Sequence, residues 1–211
     1  MTAHGEPCAA EPRLWLIRHG EKEQYIGDAC RIKLTEKGHR QADLLGKRLK
    51  DKNIEIIYSS TMCRARQTAK VINKYINANI EYRDELKEMD FGDFDRNGWE
   101  YYCANFSNYL NELKNHEIDI PFPNGECGTD VWLRSNKILN EIVQLGLKNI
   151  AIITHAGTIK SIICGALGLP LGKRNLFGHP LEHCSITRLS YANNRYLLDT
   201  FNDYVHLGSE L

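Results

Sequence analysis

Arg18, His19 and Gly20 follow directly on the apolar run "RLWLI" (13–17), and His155, Ala156 and Gly157 follow another, "NIAIIT" (149–154). A third run, "IEIIY" (54–58), leads into Ser59 and Ser60, with Arg64 shortly after. A neutral imidazole can attack an electrophile or carry a proton, and a guanidinium grips oxyanions through paired N–H groups. Two arginines and two histidines, each set where an apolar run stops, suit a phosphate dianion. Taken singly, each has a plainer reading: a histidine hydrogen-bonded at a strand end, an arginine on a solvated helix face. Their conjunction at one kind of position is what points to an anion pocket.

The three runs are too short for helices and rich in β-branched residues, as strands buried on both faces are. Helical patterns separate them. "TEKGHRQADLLGKRLKDK" (35–52) opens on Thr35 as its N-cap, and Met62, Ala65, Ala69, Ile72 and Ile76 recur at helical spacing over 61–77. Ile159, Ile162, Ile163, Ala166 and Leu167 form a further stripe, ended by "GLPLG". This alternation predicts an α/β fold, a three-layer α/β/α sandwich on a mostly parallel sheet. "SITRLSYANNRYLLDTFN" alternates about Asn193-Asn194 and predicts an antiparallel hairpin at the C-terminal edge.

Residues 86–148 break the alternation. Trp99, Tyr102, Phe106, Tyr109, Leu110 and Leu113 make an aromatic helix face, and Trp132, Ser135, Leu139 and Ile142 begin another helix after "PFPNGECG". The segment reads as a helical insertion flanking the sheet. Residues 1–12 read as a flexible extension and 13–211 as one domain carrying that insertion.

In open α/β sheets, ligands sit outside the carboxyl ends of the strands. Helices starting there add free N–H groups and a positive dipole end. Arg64 falls in the first turn of such a helix and can join the mouth, whereas Arg66 is about 200° further round and cannot.

The totals exclude several partners. The chain has 27 Lys plus Arg against 27 Asp plus Glu, so no excess charge invites nucleic acid or an anionic membrane. No apolar stretch approaches the ~20 residues that span a bilayer. Seven scattered cysteines without a CxxC pair read as reduced thiols, and the expected compartment is the cytoplasm. "DFDRNG" (93–98) copies the start of an EF-hand loop, but its twelfth position is Ala104 instead of a glutamate. No GxxxxGK[ST], no HExxH and no cysteine-phosphatase loop occurs, and His19 with His155 has no obvious third metal ligand. The expectation is a site without metal or cofactor.

With these residues in view, the chain resembles the histidine phosphatases, the superfamily of cofactor-dependent phosphoglycerate mutases and many phosphomonoesterases. The resemblance runs from Leu14 to about Leu207, through "LIRHGE", "LTEKGHRQA", "SSTMCRARQTA", "LKEMDFG", "ITHAGTIK" and "CSIT" in the expected order. It implies a phosphomonoester hydrolase for a small phosphorylated metabolite. His19 would be the nucleophile, Arg18, Arg64 and His155 the phosphate-binding groups, and Glu88 the general acid and base, with Asp90 its local competitor. "EMDFGDFD" with "PNGE" most resembles alpha-ribazole phosphatases. A mutase, or a phospholigand binder without catalysis, is the alternative. Three departures stand out: Lys22 and Tyr25 replace the usual Ser or Thr and Asn, "THAG" replaces "SHGG", and His183 stands where Asn is frequent. Lys22 is a candidate substrate contact.

Overall fold

The computed structural model describes residues 11–24, 28–115, 118–177 and 181–210, except the side chains of 96–99, 102, 114, 209 and 210. Most of the predicted N-terminal extension, and Tyr25, lie outside the described residues. Within them, β1 (Arg13–Arg18), β2 (Ile56–Ser60), β3 (Asn79–Arg83), β4 (Asn149–Thr154), β5 (Ile186–Ala192) and β6 (Arg195–Asp203) form one sheet, ordered β3-β2-β4-β1-β5-β6. β1 to β4 pair in parallel, β5 runs antiparallel to β1, and β6 returns antiparallel to β5. This is the mixed sheet of a three-layer α/β fold.

Alternation along the strands builds the layers. Leu14, Leu16, Ile150 and Ile152 point to one face, where they meet α5 (Gly128–Val143) and α6 (Ala156–Ala166) through Ile138, Leu139, Ile142, Ile159 and Ile162. Trp15, Ile17, Ala151 and Ile153 point to the other, against α1 (Glu36–Leu49) and α2 (Cys63–Ile76) through Ala42, Leu45, Ala65, Ala69 and Ile72. Strands covered on both sides carry apolar residues at every position, which is why the sequence shows continuous runs. Cutting one such buried Leu or Ile back to alanine costs about 2–5 kcal/mol.

Two departures from the sequence reading have physical reasons. β3, "NIEYR", was not anticipated, because an edge strand half in contact with solvent needs few apolar residues. The sequence-based bounds of the insertion, 86–148, also take in α5, yet Val131, Ile138, Leu139 and Ile142 are wholly buried and three of them join the main core. The segment standing outside the sandwich holds α3 (Asp93–Asn105) and α4 (Ser107–Asn115). Phe94, Tyr109 and Leu113 pack there on a small separate core of Met89, Phe122 and Val131. Trp99 and Tyr102, read as part of that aromatic face, have side chains outside the described residues. "DFDRNG" is the helical start of α3 and forms no cation-binding loop.

Candidate active site

Register brings the two strand-end motifs together. β1 and β4 are adjacent with Arg18 opposite Thr154, and the His19 amide donates to the Thr154 carbonyl at 3.0 Å. The next residues, His19 and His155, therefore leave the sheet side by side, with ring centroids 5.0 Å apart. Both are buried. β2 lies on the other side of β4, so α2, which starts right after it, delivers Arg64 to the same mouth. The Arg64 Nε donates to His19 Nε2 at 3.1 Å, and its Nη1 donates to the Ala29 carbonyl at 2.8 Å.

His19 is fixed from both sides. Its Nδ1 lies 2.7 Å from the Gly20 carbonyl, an acceptor only, so this nitrogen carries the proton. Nε2 then holds the lone pair that accepts from Arg64. Burial drives the imidazole well below its usual range, with the charges of Arg64 and Arg18 adding to the effect. It is neutral at pH 7, the form able to attack. Gly20 is required here by close approach: a Cβ on it would lie 2.5 Å from the Gly38 carbonyl oxygen in the first turn of α1. Thr35 caps that helix, as its sequence position predicts, accepting from the Gly38 amide.

Arg18 donates an Nη1 hydrogen bond to the Leu181 carbonyl, while its Nε is buried without a partner among the described residues. Burial lowers the pKa of both Arg18 and Arg64 from the usual arginine value. Two guanidiniums held in a desolvated mouth make a strong positive focus for an anion. His155, also driven well below its usual range by burial and by Arg64, has Nε2 2.9 Å from the Ser60 hydroxyl. Its Nδ1 has no partner among the described residues.

Glu88 occupies the N-terminus of α6. Its Oε1 accepts from the amides of Met89 at 3.0 Å and Thr158 at 3.2 Å, and its Oε2 accepts from Gly157 at 3.4 Å. The α6 amides, expected from the sequence to face the anion directly, are thus partly engaged by this carboxylate. Gly157 makes room for it, since a Cβ there would lie 2.7 Å from Oε1. Its bonds to Gly157 and Thr158 hold it within three residues of His155, and its charge acts favourably on Arg18, Arg64 and Lys22. Asp90 turns elsewhere: its Oδ1 accepts from the Gly92 amide.

Lys22 lies exposed at the rim, in an isolated bridge with Leu34. Burial of its surroundings and the nearby Arg64 lower its pKa from the usual lysine value. The His183 ring lies tilted beside His19, with centroids 5.6 Å apart, and its pKa is pushed down to about 3, by burial first and then by Arg18 and Lys22. Arg66 does not enter the mouth; its guanidinium covers the Tyr82 ring at 4.8 Å.

Sequence reasoning missed the clamp behind Glu88. Arg134 on α5 pairs with Glu126 through Nε and Nη2, and donates to the carbonyls of Glu85 at 2.6 Å and Glu88 at 3.1 Å. Glu126 also accepts from the Asp90 amide. The only signal was Glu126 inside "PNGE"; Arg134 had none, because nothing in its helix marks one cation from another.

A profile of the histidine phosphatase superfamily (branch 1) matches residues 14–204. "Putative phosphoserine phosphatase 2" of Hydrogenobacter thermophilus is 28% identical over 199 residues, covering 92% of this chain and 97% of that protein. "Probable phosphoglycerate mutase GpmB" of Citrobacter koseri is 28% identical over 209 residues, covering 93% and 95%. Among solved structures, a histidine-to-alanine mutant of phosphoserine phosphatase from Entamoeba histolytica, in complex with phosphoserine, aligns with a TM-score of 0.79 at 28% identity. That match covers 93% of this chain and 99% of the other.

Proposed function

Because the chain belongs to the histidine phosphatase superfamily (branch 1), we propose that it hydrolyses small phosphomonoesters through a phosphohistidine at His19. The observation that carries the proposal is the state of that imidazole: buried, neutral, Nδ1 anchored on Gly20, and Nε2 turned to Arg64. In the first step Nε2 attacks phosphorus, the P–O bond to the substrate alcohol breaks, and Glu88 gives the departing oxygen its proton. In the second step Glu88 takes a proton from water, the hydroxide attacks phosphorus, and the N–P bond breaks to release inorganic phosphate. Oε2 of Glu88, held by one long contact, is the oxygen left to exchange that proton.

Arg18 and Arg64 hold the equatorial oxygens, where charge builds up. The unpartnered Nδ1 of His155 supports a third contact. The Ser60 hydroxyl accepts from the Met62 amide at 3.2 Å; by giving its own proton to His155 Nε2 it leaves Nδ1–H as a donor. Acceleration of phosphate monoester hydrolysis can reach ~10²¹, roughly 28 kcal/mol, so several charged groups must act on one phosphoryl group.

Single-turnover labelling tests the reading. A ³²P-labelled substrate should leave an acid-labile, base-stable phosphoryl group on the protein, absent from His19→Ala. Tight binding of phosphoesters without label or turnover would instead favour a binder on the same fold. Mutase-type transfer is the second reading, motivated by the phosphoglycerate mutase name of several relatives. Release of inorganic phosphate, without transfer to a second hydroxyl, separates the two. A panel of phosphorylated metabolites including phosphoserine and alpha-ribazole 5'-phosphate would identify the substrate.

A further inference from the structure

Arg64 and Arg66 stand on opposite sides of the first turns of α2, and only Arg64 serves the histidine pocket. Arg66 lines a separate groove of about 510 Å³ together with Arg31, Lys33 and Lys70, and with Thr61 and Gln67 as neutral hydrogen-bonding groups. Among the described residues no carboxylate lines it, although the chain as a whole is balanced at zero net charge. Asp28 reaches Arg31 from outside the groove, at 3.2 Å. Arg31 is thus paired, and Thr61 gives its hydroxyl to Asp84, so Lys33, Arg66 and Lys70 carry the excess positive charge of this concave surface, a local field that the sequence totals conceal.

The walls are held in place. The Leu34 amide donates to Gln67 Oε1 at 2.8 Å, and the Ala29 carbonyl accepts from Arg64 at 2.8 Å. Residues 28–34 are thereby tied to α2 at two points, so the cationic side chains project from a pre-organised frame. The volume lies within the usual range for small-ligand sites. Among the described residues none of the lining side chains is aromatic.

We propose that this groove is a second anion-binding site, separate from the His19 pocket, for a compact multiply charged phosphate compound. It requires no chemistry at His19. The cations are exposed, so binding should be moderate in strength and steeply dependent on salt.

Calorimetric titration of the full-length protein with inorganic tripolyphosphate, with and without saturating vanadate, tests this. Vanadate should leave one tripolyphosphate site intact. Lys33→Gln/Lys70→Gln should weaken that site at least tenfold while basal activity and the unfolding midpoint stay unchanged. Lys50→Gln/Lys52→Gln, with the same charge change elsewhere on the surface, should leave it unaltered. Displacement of all tripolyphosphate by vanadate would overturn the proposal. So would wild-type binding in the groove variant, or equal weakening in both double variants. The comparison of variants needs no vanadate, so it reads the groove even if the His19 pocket fails to bind that anion.

Discussion

Arg64 Nε donates to His19 Nε2 at 3.1 Å, so the lone pair proposed to attack phosphorus rests against the guanidinium proposed to receive the phosphoryl oxygens. In the proposed mechanism an arriving phosphate would exchange that contact for its own, with the Arg64 N–H turned to an equatorial oxygen and the freed Nε2 facing phosphorus. Arg64→Ala should lower kcat by about 10²–10³-fold. Arg64→Lys should recover little of this, because a single ammonium cannot span His19 and the Ala29 carbonyl as the planar fork does. Steady-state kinetics on both variants checks the expectation; full activity in the lysine variant would reduce Arg64 to a point charge.

Glu88 should matter in proportion to the basicity of the leaving group. Glu88→Gln is expected to slow alkyl phosphates much more than nitrophenyl phosphate, whose leaving oxygen needs little protonation. Equal losses would take the acid role away from Glu88 and make Asp90 the next residue to test.

Arg134 is expected to act through Glu88 without touching substrate. Arg134→Ala leaves Glu126 and two backbone carbonyls without their donor, a loss of about 1–3 kcal/mol in stability. If its role is positioning, the surviving activity will show the same preference for nitrophenyl over alkyl phosphate as Glu88→Gln does. An unchanged preference alongside lower stability would leave only a structural role.

The cationic mouth leads to the expectation that activity persists in EDTA. Loss of turnover on chelation, restored by Mg²⁺ or Zn²⁺, would contradict it.

His183 ties stability to pH. Its folded-state value of about 3 lies below the ~6.5 of an unfolded histidine, so between those values the unfolded chain binds the proton and the native state does not. Its contribution is complete above pH ~6.5 and is lost progressively as pH falls toward 3. The slope reaches at most about 1.4 kcal/mol per pH unit. Urea unfolding at pH 7, 6 and 5 should show a steeper decline for the wild type than for His183→Asn; parallel declines would mean that this ring titrates normally in the native state.

The sequence alone determined the local parts. Continuous apolar runs marked β1 and β4 and approximated β2, Thr35 marked the start of α1, and Asn193-Asn194 marked the turn between β5 and β6. These features arise from interactions within a few residues, so a linear reading recovers them. The same reading singled out Arg18, His19, Arg64 and His155 as candidates, because each sits at a fixed offset from a strand end. What the tertiary structure decided was adjacency. Parallel pairing of β1 with β4 sets the two histidines 5.0 Å apart, and α6 folds back so that its first amides seize Glu88. The Arg134–Glu126 clamp, the approach of His183 to His19 and the groove on the Arg66 side depend on contacts between segments far apart in the chain. No local pattern encodes such contacts, since register and packing across the sheet exist only once the whole core has formed.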